Sequence, residues 1–387
     1  MNRFDSGRYV QQGSHKSFIP NEINRHWTIS DPEILTLLGQ ADRHLGRLDM
    51  FSEYVPNIDL FIGMHVLVEA TQSSKIEGTQ TRIGEALLRE EDIPADRKDD
   101  WQEVQNYMHA LNTSIHQLEE LPISSRLIRN AHRLLMQAVR GEHKQPGEFR
   151  QSQNWIGGAT LQDALFIPPP HTEVPRLMAD LEHFIHNEEI QIPELIKIAI
   201  VHYQFETIHP FLDGNGRVGR LLIPLYLVSR TLLKKPLLYL SDFFEKNRQH
   251  YYDNLMYART NHHIKQWIRF FLVGVIETSR KGAQTFDQVL KLKDDIDAQL
   301  RQLGRRASNA QKAMDVLYRL PVIDAETLYS QLDVSLPTIY KLISNLEQMD
   351  ILKEITGNQR GRYYAFERYL SLFDPGLPHS RVSIPRS

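Results

Sequence analysis

The sequence predicts an all-α protein carrying a small β-hairpin flap and a C-terminal winged helix-turn-helix. Three observations carry that prediction. Apolar residues recur at helical spacings over most of the 387 residues. Strand-like composition is confined to two places, 147–170 and 351–366. Cysteine is absent, so neither disulfides nor thiolate-held zinc nor a thiol nucleophile contributes.

Residues 1–30 are polar and rich in breakers, with Pro20 and Pro32 marking the approach to the first periodic segment, and read as an irregular arm. Helical spacing then runs from 31 to 117, first through Leu35, Leu38, Leu45 and Leu48, then over Asp59–Ile76. Ala86, Leu87 and Leu88 lead into Arg89-Glu-Glu-Asp, and 89–100 reads as an exposed loop through Pro94. Residues 1–100 thus form an N-terminal helical region.

A core follows over 101–282, with helices at 122–139, 174–185 and 193–208, and a closing helix over 267–275. Between the first two, glycines, aromatic and β-branched residues and Pro168-Pro-Pro170 suggest an extended hairpin. A charged connector spans 283–307, with a helix over 287–303 that places Val289, Leu292, Ile296 and Leu300 on one stripe. From 308 to 373 come helices at 310–320, 325–331 and 335–349, then a strand pair over 351–366. Asp324 and Ser335 serve as N-caps, and 358–361 forms the tip of a wing. This pattern resembles a winged helix-turn-helix, with the helix from Ser335 in the recognition position. The 374–387 tail, with three prolines, reads as disordered.

Composition bounds the function. A formal net charge of −3 gives no global attraction to nucleic acid or anionic lipid. No apolar run approaches the roughly 20 residues of a membrane helix, and the N-terminus lacks a signal-peptide core, so a cytoplasmic protein with no membrane contact is expected. Internal repeats are absent. In 308–373, 7 basic residues face 8 acidic ones, a poor footprint for DNA; winged helices also serve dimerisation or docking, which leaves a homodimer open.

Chemistry concentrates in one run, His209-Pro-Phe-Leu-Asp213-Gly214-Asn215-Gly216-Arg217-Val218-Gly219-Arg220. Gly214 and Gly216 allow a tight turn with exposed N–H groups, and the apolar run from Leu221 shows a helix starting immediately afterwards. A loop entering a helix N-terminus is an anion site. Arg217 and Arg220 stand three apart, so both can face one anion with forked donors suited to phosphate. Asp213 would repel that phosphate unless a cation lay between them, and Mg²⁺ bridging one carboxylate and phosphates is the usual solution. His209, ending the preceding helix, is placed to take a proton from an attacking hydroxyl. His202, Glu206 and His209 imitate metal-ligand spacing, but their order is not HExxH and His209 sits at a helix end. His202 and Glu206 are therefore expected to be polar groups beneath the site, either supporting its residues or simply satisfied.

The run resembles the HxFx(D/E)GNGRxxR signature of the Fic family at every defined position. That resemblance implies a protein adenylyltransferase, moving AMP from Mg·ATP to a Tyr, Thr or Ser hydroxyl of a target protein. It implies nucleotide contacts at Gly214, Asn215, Gly216, Arg217, Val218, Gly219 and Arg220, His209 as catalytic base and Asp213 as the Mg²⁺ ligand. Upstream, Ser73-Ser-Lys-Ile-Glu77-Gly78 resembles the family's inhibitory (S/T)xxxE(G/N) helix, implying that Glu77 forms a fork-shaped ion pair with Arg220 in place of the nucleotide. The segment 241–252 resembles the purine and ribose side of the pocket, with Asn247 and Tyr252 as contacts; Arg259 is a departure there. The hairpin resembles the family's flap, whose 155–170 stretch would dock the target by strand addition. Three alternatives stay open: a phosphotransferase on the same fold, AMP removal, and a nucleotide-sensing transcription regulator.

Overall fold

The computed structural model describes residues 4–55, 57–139, 144–357 and 360–374. It opens with an antiparallel hairpin, β1 (Gly7–Gln12) and β2 (His15–Pro20), where an irregular arm was expected. Two features account for the correction. Gly13 takes a left-handed φ of 56° in a two-residue turn that closes the pair Gln12↔His15. Phe18 is then buried, and its N–H donates to the Ile167 carbonyl of the flap at 2.9 Å.

Helix α1 (Pro32–Tyr54) starts where the Asp31 carboxylate accepts the N–H groups of Glu33 and Ile34. It buries Leu38, Leu45 and Leu48, while Leu35 of the expected stripe is exposed. Helix α2 (Asp59–Ile76) has the bounds that its periodicity predicts. It is buried on most sides, and its Glu69 accepts from Tyr107 Oη (2.9 Å) and from the Ser241 hydroxyl and N–H. A buried carboxylate satisfied from both flanks fixes the rotation of α2. After the short α3 (Ile83–Ala86), 89–100 is structured, with 3₁₀ turns at Glu90–Asp92 and Ala95–Arg97 before α4 (Lys98–Gln117).

The helices of the central region are α5 (Ser125–Leu135), α6 (Val174–His186), α7 (Glu194–Ile208) and α8 (Asn215–Ser229), followed by α9 (Ser241–Lys246) and α10 (Arg248–Asn261). Helix α5 is shorter than the expected 122–139, and Ala138 takes a left-handed φ of 52° that no helix continues through. The flap is reduced to one antiparallel bridge, Ile156↔Phe166, instead of an extended hairpin. Helix α11 (Ile264–Leu300) runs unbroken across the boundary expected at 282, so the closing helix and the connector are one element.

The C-terminal segment comprises α12 (Ala307–Arg319), β3 (Val322–Asp324), α13 (Ala325–Gln331), α14 (Leu336–Gln348), β4 (Lys353–Glu354), β5 (Tyr363–Ala365) and α15 (Glu367–Leu370). Its antiparallel sheet has the order β3-β5-β4, one strand more than the expected pair. Asp324 caps α13 through Thr327 N–H, whereas the Ser335 hydroxyl meets Thr338 Oγ1 and makes no cap bond. Residues 358 and 359 of the expected wing tip and 375–387 of the tail lie outside the described residues. This segment packs on α2, with Tyr318 edge-on to Phe61 at 5.1 Å. Arg89 of the 89–100 segment pairs with Asp324 at 2.8 Å and donates to Thr327 Oγ1 at 2.6 Å. Among the described residues, no helix is long and apolar enough to cross a membrane.

Candidate functional site

Helices α7 and α8 meet at the turn 209–214, and the turn is over-determined. His209 caps α7 in the left-handed conformation (φ 51°), a strained state for a non-glycine residue that its neighbours must hold in place. Its carbonyl accepts from Arg150 Nε (2.9 Å) and Asn154 Nδ2 (3.1 Å). Asn215 locks the other side, accepting from Phe211 N–H and donating to the Phe211 carbonyl. Beneath them His132 stacks on Phe211, ring centroids 3.8 Å apart. Because its Nδ1 accepts from Gly147 N–H, its Nε2 carries the proton and donates to the Asp213 carbonyl at 3.0 Å. Gly214 has φ 74°, and a Cβ there would press on Met136 Sδ, so the turn needs glycine twice over.

A cavity of about 530 Å³ opens over this turn. It is lined by His209, Asp213, Gly214, Asn215, Gly216 and Arg220, with Glu77 and Tyr252 on its walls. The first-turn N–H groups of α8 have no carbonyl ahead of them in the helix and bear the positive end of its dipole. Burial, then the positive charges of Arg259 and Arg150, push the His209 imidazole down to about 3, so it is neutral at neutral pH, as a base must be. Burial raises the Asp213 carboxyl, but Lys144 at 3.0 Å and the Gly214 N–H outweigh it and hold the group below its ordinary range.

Glu77 stands against Arg220, as the inhibitory reading expects, with Oε1 2.6 Å from Nη2. The pair is not fork-shaped. Nε of Arg220 donates to Ser73 Oγ and Nη2 also donates to the Ser73 carbonyl, both at 2.9 Å, so Ser73 takes the donors that a second carboxylate oxygen would have used. Burial acts to raise Glu77, and the Arg220 charge and hydrogen bond overcome it, leaving the carboxyl below its usual range. A Cβ on Gly216 would run into both the Glu77 carboxylate and the Arg220 guanidinium, so this contact requires glycine at 216.

Several expected contacts are not at the cavity. Arg217 points the other way, pairing with Glu103 of α4 at 3.2 Å, so the two arginines do not share one anion. Val218 is core, and Gly219 gives its carbonyl to His202 Nδ1. Asn247 Nδ2 closes the end of α9 on the Phe243 carbonyl, and Gly78 (φ 105°) terminates the turn after α2 on the Lys75 carbonyl, away from the cavity. His202 is satisfied, with Tyr251 Oη on its Nε2, as expected. Glu206 is not: it lines the cavity, and its Oε1 has no hydrogen-bond partner among the described residues. Lys144, Tyr251 and Arg259 also line the cavity, and no spacing in the sequence marks them.

Metal binding can be tested on the donors present. Among the described residues, no three His, Asp or Glu side chains converge on one point. Asp213 offers a carboxylate beside the N-terminus of α8, already drawing one cation, Lys144, while the Glu77 carboxylate on the same wall is committed to Arg220. That arrangement fits an ion held chiefly by phosphates and water, which is how Mg²⁺ binds beside nucleotides, and not a protein cage.

Comparisons place this geometry among known proteins. The Fic/DOC family N-terminal model matches residues 35–116 and the Fic/DOC family model matches 122–227. The chain is 43% identical over 88 residues to a probable protein adenylyltransferase of Aquifex aeolicus, covering 23% of this chain and 26% of that protein. It is 32% identical over 117 residues to the protein adenylyltransferase Fic of Drosophila grimshawi, covering 30% and 22%. The chain therefore spans about a quarter of the length of these curated relatives. In fold it is similar to a Fic family protein from Desulfovibrio desulfuricans, with a TM-score of 0.56 at 22% identity over 88% of this chain and 98% of the other. Fic-1 of C. elegans gives a TM-score of 0.50 at 20% identity, covering 68% of this chain and 75% of the other. The two family models between them take in the helix that presents Glu77 and the turn that carries His209 to Arg220, and over those stretches the chain matches the Fic/DOC family.

Proposed function

We propose that this chain is a protein adenylyltransferase that transfers AMP from Mg·ATP to a Tyr, Thr or Ser hydroxyl of a target protein, held inactive by Glu77. One observation carries the reading most: a neutral, buried imidazole, the open N-terminus of α8 and the Arg220 guanidinium converge on one cavity, and a carboxylate from a distant helix occupies that guanidinium. The names of the relatives and the family signature support it.

In this reading the phosphates lie on the N–H groups of 214–216, and Arg220 takes phosphate charge once Glu77 leaves. Asp213 would hold the Mg²⁺, which when bound would neutralise phosphate charge. The target hydroxyl, held at the flap beside the exposed Trp155 and Leu165, gives its proton to His209. Its oxygen bonds to the α-phosphorus, the bond from that phosphorus to the bridging oxygen breaks, and pyrophosphate departs with the electron pair. Arg217 acts through Glu103 and α4 to fix the turn, and Tyr252 offers a ring to the nucleotide. The domain reading that goes with this places catalysis in 101–282 and leaves 308–373 as a winged-helix docking module, cytoplasmic with the rest.

The test is label transfer in a cell lysate with Glu77→Gly. Label from α-³²P-ATP on protein, lost in Glu77→Gly/His209→Ala, supports the reading. Label arriving only from γ-³²P-ATP assigns a phosphotransferase instead.

A further inference from the structure

Glu206 lines the cavity and has no part in the reaction above. Its side chain is 7% exposed, yet Oε1 has no hydrogen-bond partner among the described residues. A buried carboxylate without a donor costs stability, so an arrangement that keeps one calls for a partner the resting state does not supply. Gly219 makes the space for it, since a Cβ at 219 would stand only 2.2 Å from Oε1. The partner is close. His209 lies three residues on, its Nδ1 also lacks a hydrogen-bond partner, and Glu206 Oε2 is 3.9 Å from it.

We propose, resting on the adenylyltransferase reading, that Glu206 is a positioning residue for His209: its carboxylate takes the Nδ1–H of the imidazole, which leaves Nε2 unprotonated and aimed at the target hydroxyl. The separation of 3.9 Å is one small side-chain adjustment from a hydrogen bond, and such bonds tighten when the ligand closes the site. The need is electrostatic. Burial, Arg259 and Arg150 act against the imidazolium and outweigh the Glu77 charge and the Glu206 carbonyl that favour it, so His209 is a very weak base, and an anion on Nδ1 restores basicity by stabilising the charged ring.

The surroundings link this pair to inhibition. Glu206 faces Arg220 and Gly219 from α8, Arg259, Tyr251 and Tyr252 from α10, His209 on its own chain segment, and Glu77 from the end of α2. Burial raises its carboxyl to about 7, Arg220 and Arg259 oppose that, and the Glu77 charge adds to it. While Glu77 is in place, Glu206 is held partly protonated and is a poor acceptor. Departure of Glu77 removes its contribution to the protonated form, before the nucleotide phosphates engage Arg220.

The experiment uses the full chain with Glu77→Gly, alone and combined with Glu206→Gln or Glu206→Met. Histidine is ¹⁵N-labelled, and the His209 signals are identified by their loss in Glu77→Gly/His209→Ala. The expected result is the Nδ1–H tautomer at pH 8 in Glu77→Gly and its loss in Glu206→Met. AMP transfer should fall in kcat by about 10²-fold with KM for ATP nearly unchanged, and the acidic limb of kcat near neutral pH should vanish in Glu206→Gln. An unchanged tautomer with unchanged kcat overturns the proposal, as does a rise in KM alone, which would make Glu206 a ligand contact. The remaining histidine signals report whether Glu206→Met is folded, and Glu206→Gln carries the test if it is not. Should Glu77→Gly transfer no AMP, the adenylyltransferase reading fails, while the tautomer still reports on the Glu206–His209 contact.

Discussion

Arg220 Nη2 lies 2.6 Å from Glu77 Oε1, and the same guanidinium is held by the hydroxyl and carbonyl of Ser73. One arginine is thus committed to two residues of a helix end that lies some 150 positions upstream in the chain. The Glu77 side chain is 34% exposed, so solvent screens the pair, and about 1–2 kcal/mol is a fair value for the contact.

Removing that contact should be felt as activity. Glu77→Gly is expected to raise AMP transfer about 5- to 30-fold, the factor that corresponds to 1–2 kcal/mol. Initial rates of self-labelling from α-³²P-ATP, wild type beside variant, check this, and equal rates show that the pair does not restrain the site. The Glu77 carboxyl lies below its ordinary range, so the restraint is present at neutral pH and is lost only as pH falls through that lowered value. The restraint by Glu77 should accordingly persist from pH 8 to pH 5, so any change in the ratio of wild-type to Glu77→Gly rates across that range reports the influence of Glu77 on Glu206.

Glu206 should show the opposite pH sign in stability. Its carboxyl is raised to about 7 in the fold, so between the unfolded value of 4.5 and 7 the native state holds the extra proton and stability declines as pH rises. Glu206→Gln removes that decline and should be more stable than wild type at pH 8, by roughly 1–3 kcal/mol. The gain should disappear near pH 4. Urea denaturation at both pH values measures it, and a loss of stability at pH 8 would show that the carboxylate is satisfied.

The attachment of the C-terminal segment should depend on apolar packing more than on charge. Phe61 is fully buried against Tyr318, and Phe61→Ala should cost about 3–5 kcal/mol. Arg89, a third exposed, pairs with Asp324, and Arg89→Ala should cost no more than about 1 kcal/mol. Denaturation midpoints of the two variants decide between them.

Lys144 competes with any cation for Asp213. Lys144→Ala should lower the Mg²⁺ concentration that half-saturates AMP transfer, by a few-fold, while leaving the maximal rate near wild type. A higher Mg²⁺ requirement would mean that Lys144 assists binding of the nucleotide instead.

How much of this was legible before folding varies with the physics of each residue. Asp59–Ile76 was legible because a helix of strong apolar content has one way to bury itself. The turn from His209 to Arg220 was legible because its residue types have few other uses together. Arg217 was not: three residues from Arg220 on a helix, it could have faced the cavity, and only Glu103, over a hundred residues upstream, turns it away. Gly13-Ser14 carried the signal of a two-residue hairpin turn, but the flanking strands are polar and half-exposed, so the alternation that reveals a strand is weak. For Glu206 the spacing left open whether it supports the site or is merely satisfied, because an unpartnered oxygen is a property of three-dimensional surroundings and leaves no trace in spacing.

The most direct measurement is a crystal structure of Glu77→Gly grown with Mg²⁺ and a non-transferable ATP analogue. The account predicts the phosphates on the N–H groups of 214–216, Arg220 turned from Ser73 toward them, and the α-phosphorus facing His209. A nucleotide bound elsewhere, or an empty cavity with His209 directed away from it, would contradict the account.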